Sequence, residues 1–427
     1  MECKNGSFVR KKILSNIIAS GVEKIFIIAI QFFSTIIIIR KLPREDYGII
    51  GIVIGYFAFV NFFNISLESS ILKNHKIYDN NIKEILQIFS SFNLLKSLII
   101  IGFAILLSVI LIYIYHDVGF CFAIWSISLI TVTNNMTAPF EIYFASKFEQ
   151  STVTKISIIR YLSSFILLFG LYYFPTLWYI AVKDLLVSLI YILIWNSLVF
   201  KKYNYIPKFN RLDMPFIREA LLKYSIWTHL NGVVTNFIYR SDTFFLSFFV
   251  SFSIIGDYNI ALSSANIANI IPMILGYQNS IALSNAKSKS EAVRITNIFL
   301  LSSIIVGLVT FFFFFFLGSF YLKIVTGSDN INEIYYLMMC IVIGLILVKS
   351  FASPLNSFIN IFGSVKKLFY KVMIPSLIFT ALSYFVGAYL YGAKGVAISN
   401  IFVSSFWLIL MVVETKKNGY VIAKRNK

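Results

Sequence analysis

The chain has 427 residues, of which 58% are hydrophobic and 13% charged, and it carries a net charge of +18. That is more apolar surface than a water-soluble globule of this size carries, so the chain is expected in a membrane. Its basic residues form short caps between apolar runs, which argues against a nucleic-acid surface, and the scattered Cys3, Cys121 and Cys340 argue against a disulfide framework or zinc site.

The first apolar run, residues 13–39, is too long for a signal-peptide h-region and has no small-residue cleavage site, so it reads as the first span. Further spans are expected at 47–70, 88–115, 118–142, 156–174, 177–199, 224–250, 255–283, 295–319, 334–362, 372–391 and 395–414. A hydrocarbon core of about 30 Å takes roughly 20 apolar residues per helical crossing, so these runs use nearly the whole chain. The reading is an all-α integral membrane protein of about 12 transmembrane helices. Of the 37 basic residues, 26 fall in the termini and even-numbered loops, 5 in odd-numbered loops and six inside spans. By the positive-inside rule both termini are cytoplasmic.

The longest polar connector, 201–223, contains Pro207 and Pro215 and divides the chain. It separates an N-terminal lobe, 1–200 with helices 1–6, from a C-terminal lobe, 224–414 with helices 7–12; a basic cytoplasmic tail follows at 415–427. Asp46-Tyr47-Gly48 at the start of span 2 aligns with Asp257-Tyr258-Asn259 at the start of span 8, and Ala138-Pro139 with Ser353-Pro354. Six spans per half make these copies parallel repeats, an arrangement transporters use to hold substrate between two lobes.

A Lys or Arg at the centre of a span costs roughly 2.5–3.5 kcal/mol on insertion scales and needs a wet or paired environment. Lys24, Arg240 and Lys349 are deep in their spans and are the candidate cavity cations, fit to attract an anion. Lys96, Arg160 and Lys183 fall nearer the expected span ends and are read as snorkelling. Five carboxylates also fall inside spans: Glu23, Glu68, Glu141, Asp184 and Asp242. Among them Glu23 and Asp242 are the candidate coupling-ion residues, with a structural counter-ion role as the alternative. Arg240 and Asp242, two apart on a helix, point in roughly opposite directions, so each needs another partner. The polar residues Gln31, Asn61, Asn64, Asn134, Asn135, Asn266, Asn269 and Gln278 could line a sugar path or tie helices together, the second being the expectation for any one of them. Pro139, Pro272, Pro354 and Pro375 are expected to kink spans, and Gly51-Ile-Val-Ile-Gly55 to allow close helix contact.

The sequence contains no Walker GxxxxGK(S/T) loop, HExxH or GxSxG motif, no cofactor signature and no metal-ligand spacing. An enzyme is disfavoured.

Span 7 reads Tyr239-Arg240-Ser241-Asp242, and span 8 opens on Ile255-Gly256-Asp257-Tyr258, with Ala261 and Ala265 following. This resembles the R-x-D…G-x-Y-x-x-A pattern of bacterial polysaccharide-unit flippases. Gln31, Arg40-Lys41-Leu42 and Asp46-Tyr47-Gly48 are similar to that family's first-span and second-span signature. The family is the Wzx-type oligosaccharide flippases of the multidrug/oligosaccharidyl-lipid/polysaccharide exporter superfamily. The resemblance implies a multi-pass protein of the bacterial inner membrane that moves an undecaprenyl-diphosphate-linked oligosaccharide, an O-antigen or similar surface-polysaccharide repeat unit, by cation-coupled alternating access. The implied partners are that lipid, membrane lipids, a polysaccharide polymerase and a chain-length regulator. One departure is that Lys24 aligns with Thr235 and Arg240 with Ala29, so the cations are not duplicated across the repeat. The competing readings are a multidrug or small-metabolite exporter of the same superfamily, a membrane-embedded polysaccharide polymerase or glycosyltransferase, and a non-transporting scaffold.

Overall fold

A computed structural model describes residues 26–65, 82–147, 149–206, 215, 217–218, 226–284 and 286–420. Among these residues the chain is helical and has no strand, as a lipid-embedded backbone requires: with no water to bond, each N–H and C=O must be satisfied inside its own helix. In chain order the helices are α1 (residues 26–41), α2 (Arg44–Val60), α3 (Ile82–Tyr115), α4 (Gly119–Ser146), α5 (Gln150–Leu168), α6 (Leu177–Tyr203), α7 (Ile226–Leu246), α8 (Phe252–Ser284) and α9 (Lys289–Thr326). They are followed by α10 (Asn332–Phe362) and by a helical stretch, Val365–Lys417, that bends at Gly392 into α11 (residues 365–391) and α12 (residues 393–417).

Gly392 makes that bend by adopting φ +57°, ψ −136°, a conformation that a side chain would strain. The two legs then run antiparallel: Ser399 Oγ donates to the Ser383 carbonyl at 2.9 Å, and Asn400 Nδ2 to the Tyr384 hydroxyl at 3.1 Å. Among the described residues eight helical segments are long and apolar enough to cross a membrane, this two-legged one counted once. The protein is an all-α, multi-pass membrane protein.

Three of the four span prolines act as anticipated, by breaking regular helix one turn upstream. A proline cannot donate to the carbonyl four residues back and its ring crowds that carbonyl. The turn before Pro272 is accordingly 3-10, over Asn266–Asn269, and the turns before Pro354 and Pro375 are π, over Ile346–Ala352 and Phe369–Met373. Lys349 sits inside the first of the two widened turns.

The chain forms two compact units: unit 1 is Met1–Pro43 with Val60–His229, and unit 2 is Arg44–Phe59 with Leu230–Lys427. Unit 1 is built around Phe89, Phe140, Phe144, Tyr191, Trp195 and Val199, drawn from α3, α4 and α6. Trp195 meets Phe144 edge-on at 5.5 Å between centroids and stacks with Phe140 at 6.4 Å. Since lipid tails are as apolar as these side chains, such van der Waals and aromatic contacts, about 0.5–1.5 kcal/mol per pair, must supply the cohesion.

In unit 2, α2 packs on α7 and α8 through Gly51 and Gly55, as their spacing suggested, and through Gly48 and Gly256 as well. A Cβ on Gly48 would strike the Phe252 carbonyl, and one on Gly256 the Arg44 carbonyl, so the two backbones touch. Gly51 lies against Asn259 and Gly55 against the α7 backbone. Polar bonds stitch the same seam: Asn259 Nδ2 donates to the Tyr47 carbonyl (2.9 Å), Thr243 Oγ1 to the Gly51 carbonyl (2.8 Å), and Tyr47 pairs with Ser263 (2.7 Å). Arg44 forms an ion pair with Asp257. The two copies of the repeat motif, at 46–48 and 257–259, thus lie along one interface.

Candidate functional site

Glu23 and Lys24 lie outside the described residues, as does Glu68. Arg240, Asp242 and Lys349 all fall in unit 2, where α7 and α10 present them. The Lys349 ammonium sits 4.3 Å from the centroid of the Tyr239 ring, and that ring leans on Trp407 at 5.7 Å. Arg240 is close enough to Lys349 for the two like charges to interact. Among the described residues neither cation has an ion pair or a side-chain hydrogen bond. A quadrupole attracts a cation without neutralising it, so Tyr239 holds Lys349 while leaving its charge available.

Asp242 points elsewhere, as the spacing on the helix requires. It is 1% exposed, accepts from the Tyr258 hydroxyl at 2.8 Å and from the Thr243 backbone N–H at 2.8 Å, and feels the Arg240 charge without pairing to it. The Asp242–Tyr258 bond ties α7 to α8, and the Asn400–Tyr384 bond ties α12 to α11, with both phenols in the field of Asp242. Among the described residues Asp242 is bonded to a phenol and a backbone amide and to no cation.

The snorkelling expectation for Lys96, Arg160 and Lys183 does not hold. Lys96 is buried and donates to the Ile65 carbonyl at 3.1 Å. Lys183 is buried against Asp184 at 2.6 Å and reaches Ser164 Oγ at 3.4 Å, while the second Asp184 oxygen accepts from Ser126. Arg160 lies deeper than the sequence suggests because α5 begins at Gln150, six residues before the expected start at 156. That puts it ten residues into the helix, about 15 Å at 1.5 Å per residue, near the middle of the candidate span Gln150–Tyr172 rather than its edge.

Arg160 donates to Asn134 Oδ1 at 2.7 Å and its Cζ lies 4.5 Å from the centroid of the Tyr191 ring. On the far edge of that ring the Tyr191 hydroxyl donates to Glu141 Oε1 at 3.0 Å, and Thr137 Oγ1 donates to the same oxygen at 2.6 Å. Sequence reasoning considered Asn134 and Glu141 singly and missed their grouping with Arg160 and Tyr191. The usable signal was the spacing of Asn134, Thr137 and Glu141, at i, i+3 and i+7 on one helix face.

A family model described as polysaccharide biosynthesis protein matches residues 37–275, more than half of the chain. Among curated protein sequences none matches. Among solved structures the chain is similar to the lipid II flippase MurJ in an inward closed conformation, with a TM-score of 0.66 and 15% identity, covering 94% of this chain and 87% of that one. It is also similar to an inward-facing multidrug resistance MATE family transporter of the MOP superfamily, with a TM-score of 0.61 and 11% identity over 92% and 96% of the two chains. A mutant of the Vibrio cholerae MATE transporter VcmN aligns with a TM-score of 0.59 and 15% identity over 97% and 99%. At these identities the likeness establishes the fold.

Proposed function

This chain belongs to the polysaccharide biosynthesis protein family, and from that membership we propose that it is a flippase for a lipid-linked oligosaccharide. Its cargo is an undecaprenyl-diphosphate-linked repeat unit of an O-antigen or similar surface polysaccharide, moved between leaflets of the bacterial inner membrane by alternating access, with both termini cytoplasmic. The observation that carries this reading is the Arg240 and Lys349 pair: two like charges in one unit, near enough to repel, with no oxygen partner among the described residues. Such an arrangement is unfavourable alone and favourable around a polyanion, whose lost hydration the fixed cations offset. Lys24 is the third proposed member of this set. Asp242, and Glu23 with it, is the proposed site of a coupling cation; burial of Asp242 beside a phenol and within the field of Arg240 lets occupancy of the carboxylate and of the cation site influence each other.

Deletion should leave lipid-linked repeat units in the inner leaflet, where they are made; their appearance in the outer leaflet at wild-type rate would end the proposal. At equal protein level Arg240→Ala should reduce surface-polysaccharide export well below that of Lys201→Ala, which removes an exposed lysine at the end of α6. Equal effects would remove Arg240 from the cargo site.

A further inference from the structure

Resting on the flippase reading, we propose that Asn134, Arg160 and Glu141 of unit 1 form a subsite for a sugar residue of the carried lipid, with Tyr191 as its positioning residue.

Location comes first. Arg160 and Tyr191 lie near the middle of α5 and α6, Asn134 near the middle of α4, and Glu141 two turns further on. Asn134 is nevertheless exposed, and Arg160 and Glu141 are half-exposed. Ionisable groups at such depth do not face acyl chains; they face a water-filled cavity or the protein interior. Their open sides therefore look onto an aqueous path.

The bonding is also incomplete in a directed way. Both hydrogen bonds to Glu141 go to Oε1, and among the described residues Oε2 accepts none. Arg160 has five N–H donors and among the described residues uses one. The Lys183–Asp184 pair of the same unit shows what a purely structural cluster looks like: both carboxylate oxygens are occupied and both residues are buried.

Charge then selects the ligand. Arg160 and Glu141 sit on opposite parts of one tyrosine, each within electrostatic reach of it, so the cluster is neutral overall. A diphosphate would meet the Glu141 carboxylate as well as the guanidinium. A pyranose hydroxyl donates and accepts at once, and matches a free carboxylate oxygen beside free guanidinium and amide donors. Tyr191 sets the spacing, its ring under Arg160 and its hydroxyl on Glu141.

The test uses the full-length protein in nanodiscs, titrated with undecaprenyl diphosphate and with the same lipid carrying one N-acetylhexosamine, and read by tryptophan fluorescence. The wild type should bind the glycosylated lipid about tenfold more tightly than the bare one. Glu141→Gln, and Arg160→Lys, which keeps charge but loses the planar fork, should abolish that increment and leave bare-lipid affinity within twofold. Tyr191→Phe keeps the ring and should reduce the increment without lowering the unfolding temperature. Equal weakening of both lipids, an unchanged increment in the variants, or no increment in the wild type overturns the subsite alone. A wild type that binds neither lipid overturns the flippase reading and the subsite with it.

Discussion

The two units keep cations inside a membrane protein in opposite ways. In unit 1 the three span cations among the described residues each meet an oxygen: Lys183 has Asp184, Lys96 the Ile65 carbonyl and Arg160 the Asn134 amide. In unit 2 Lys349 has an aromatic face, Arg240 has its neighbours' fields, and the nearby acid Asp242 is bonded to Tyr258 and the Thr243 amide instead. The oxygen partners of unit 1 lower the cost of burial by satisfying the charge. The aromatic partner of unit 2 lowers it while leaving the charge unspent, which is what a site for a passing anion needs.

The largest expected effect breaks the first half of this comparison. Asp184→Ala strands the Lys183 ammonium in a buried place, and breaking such a pair costs about 3–5 kcal/mol, to be read by denaturation in detergent. Arg240→Ala, by contrast, removes a charge with no ion pair or side-chain hydrogen bond among the described residues and should leave stability unchanged or raised while export falls. If Arg240→Ala destabilises as much as Asp184→Ala does, the contrast between the units is lost.

Gly48→Val comes next. It inserts a side chain where α2 and α8 touch backbone to backbone, and overpacking of this kind costs about 1–3 kcal/mol. Wild-type stability would mean that the seam is looser than its hydrogen bonds indicate. Tyr239→Leu should cost about 1 kcal/mol by removing the ring beneath Lys349, with Tyr239→Phe close to wild type. A double-mutant cycle with Lys349→Met checks it, since the share of the cost that belongs to the cation contact must vanish when the ammonium is gone.

The smallest effect lies in the loop between α9 and α10, where the hydrogen bond from Lys323 holds the Asp329 carboxyl below its usual range. A depressed carboxylate contributes stability that is present above its unfolded pKa and lost as pH falls through the folded one. Asp329→Asn should therefore fall slightly short of wild type above about pH 4 and converge on it as acid protonates the depressed carboxyl, in thermal scans from neutral pH downward. Both carboxylate and lysine are well exposed, so the difference should be barely measurable.

Much of the fold was legible because lipid imposes a simple rule: apolar runs of spanning length become helices, and buried charges stand out against them. The α7 motif and Lys349 were visible for that reason. The start of α5 was not, since Gln150-Ser151-Thr152-Val153-Thr154 reads as a polar loop, yet it is helical and buries Val153, Thr154, Ile156 and Ser157. Six residues of polar helix moved Arg160 from the span edge to its middle. Its partners Asn134 and Tyr191 lie 26 and 31 positions away, a proximity that periodicity within one helix cannot reveal. Likewise, the motif copies at 46–48 and 257–259 were readable as a repeat but not as the two sides of one seam, because a repeat fixes likeness and not contact.

The central claim is that Arg240 and Lys349 are held unneutralised for a phosphorylated lipid. The most direct measurement is the affinity of undecaprenyl diphosphate relative to undecaprenol for the protein in nanodiscs, compared between wild type and the Arg240→Ala, Lys349→Ala double variant. The wild type should prefer the diphosphate by at least about tenfold, roughly 1.4 kcal/mol, and the double variant should lose that preference with its fold intact. A preference that survives the removal of both cations would contradict the account.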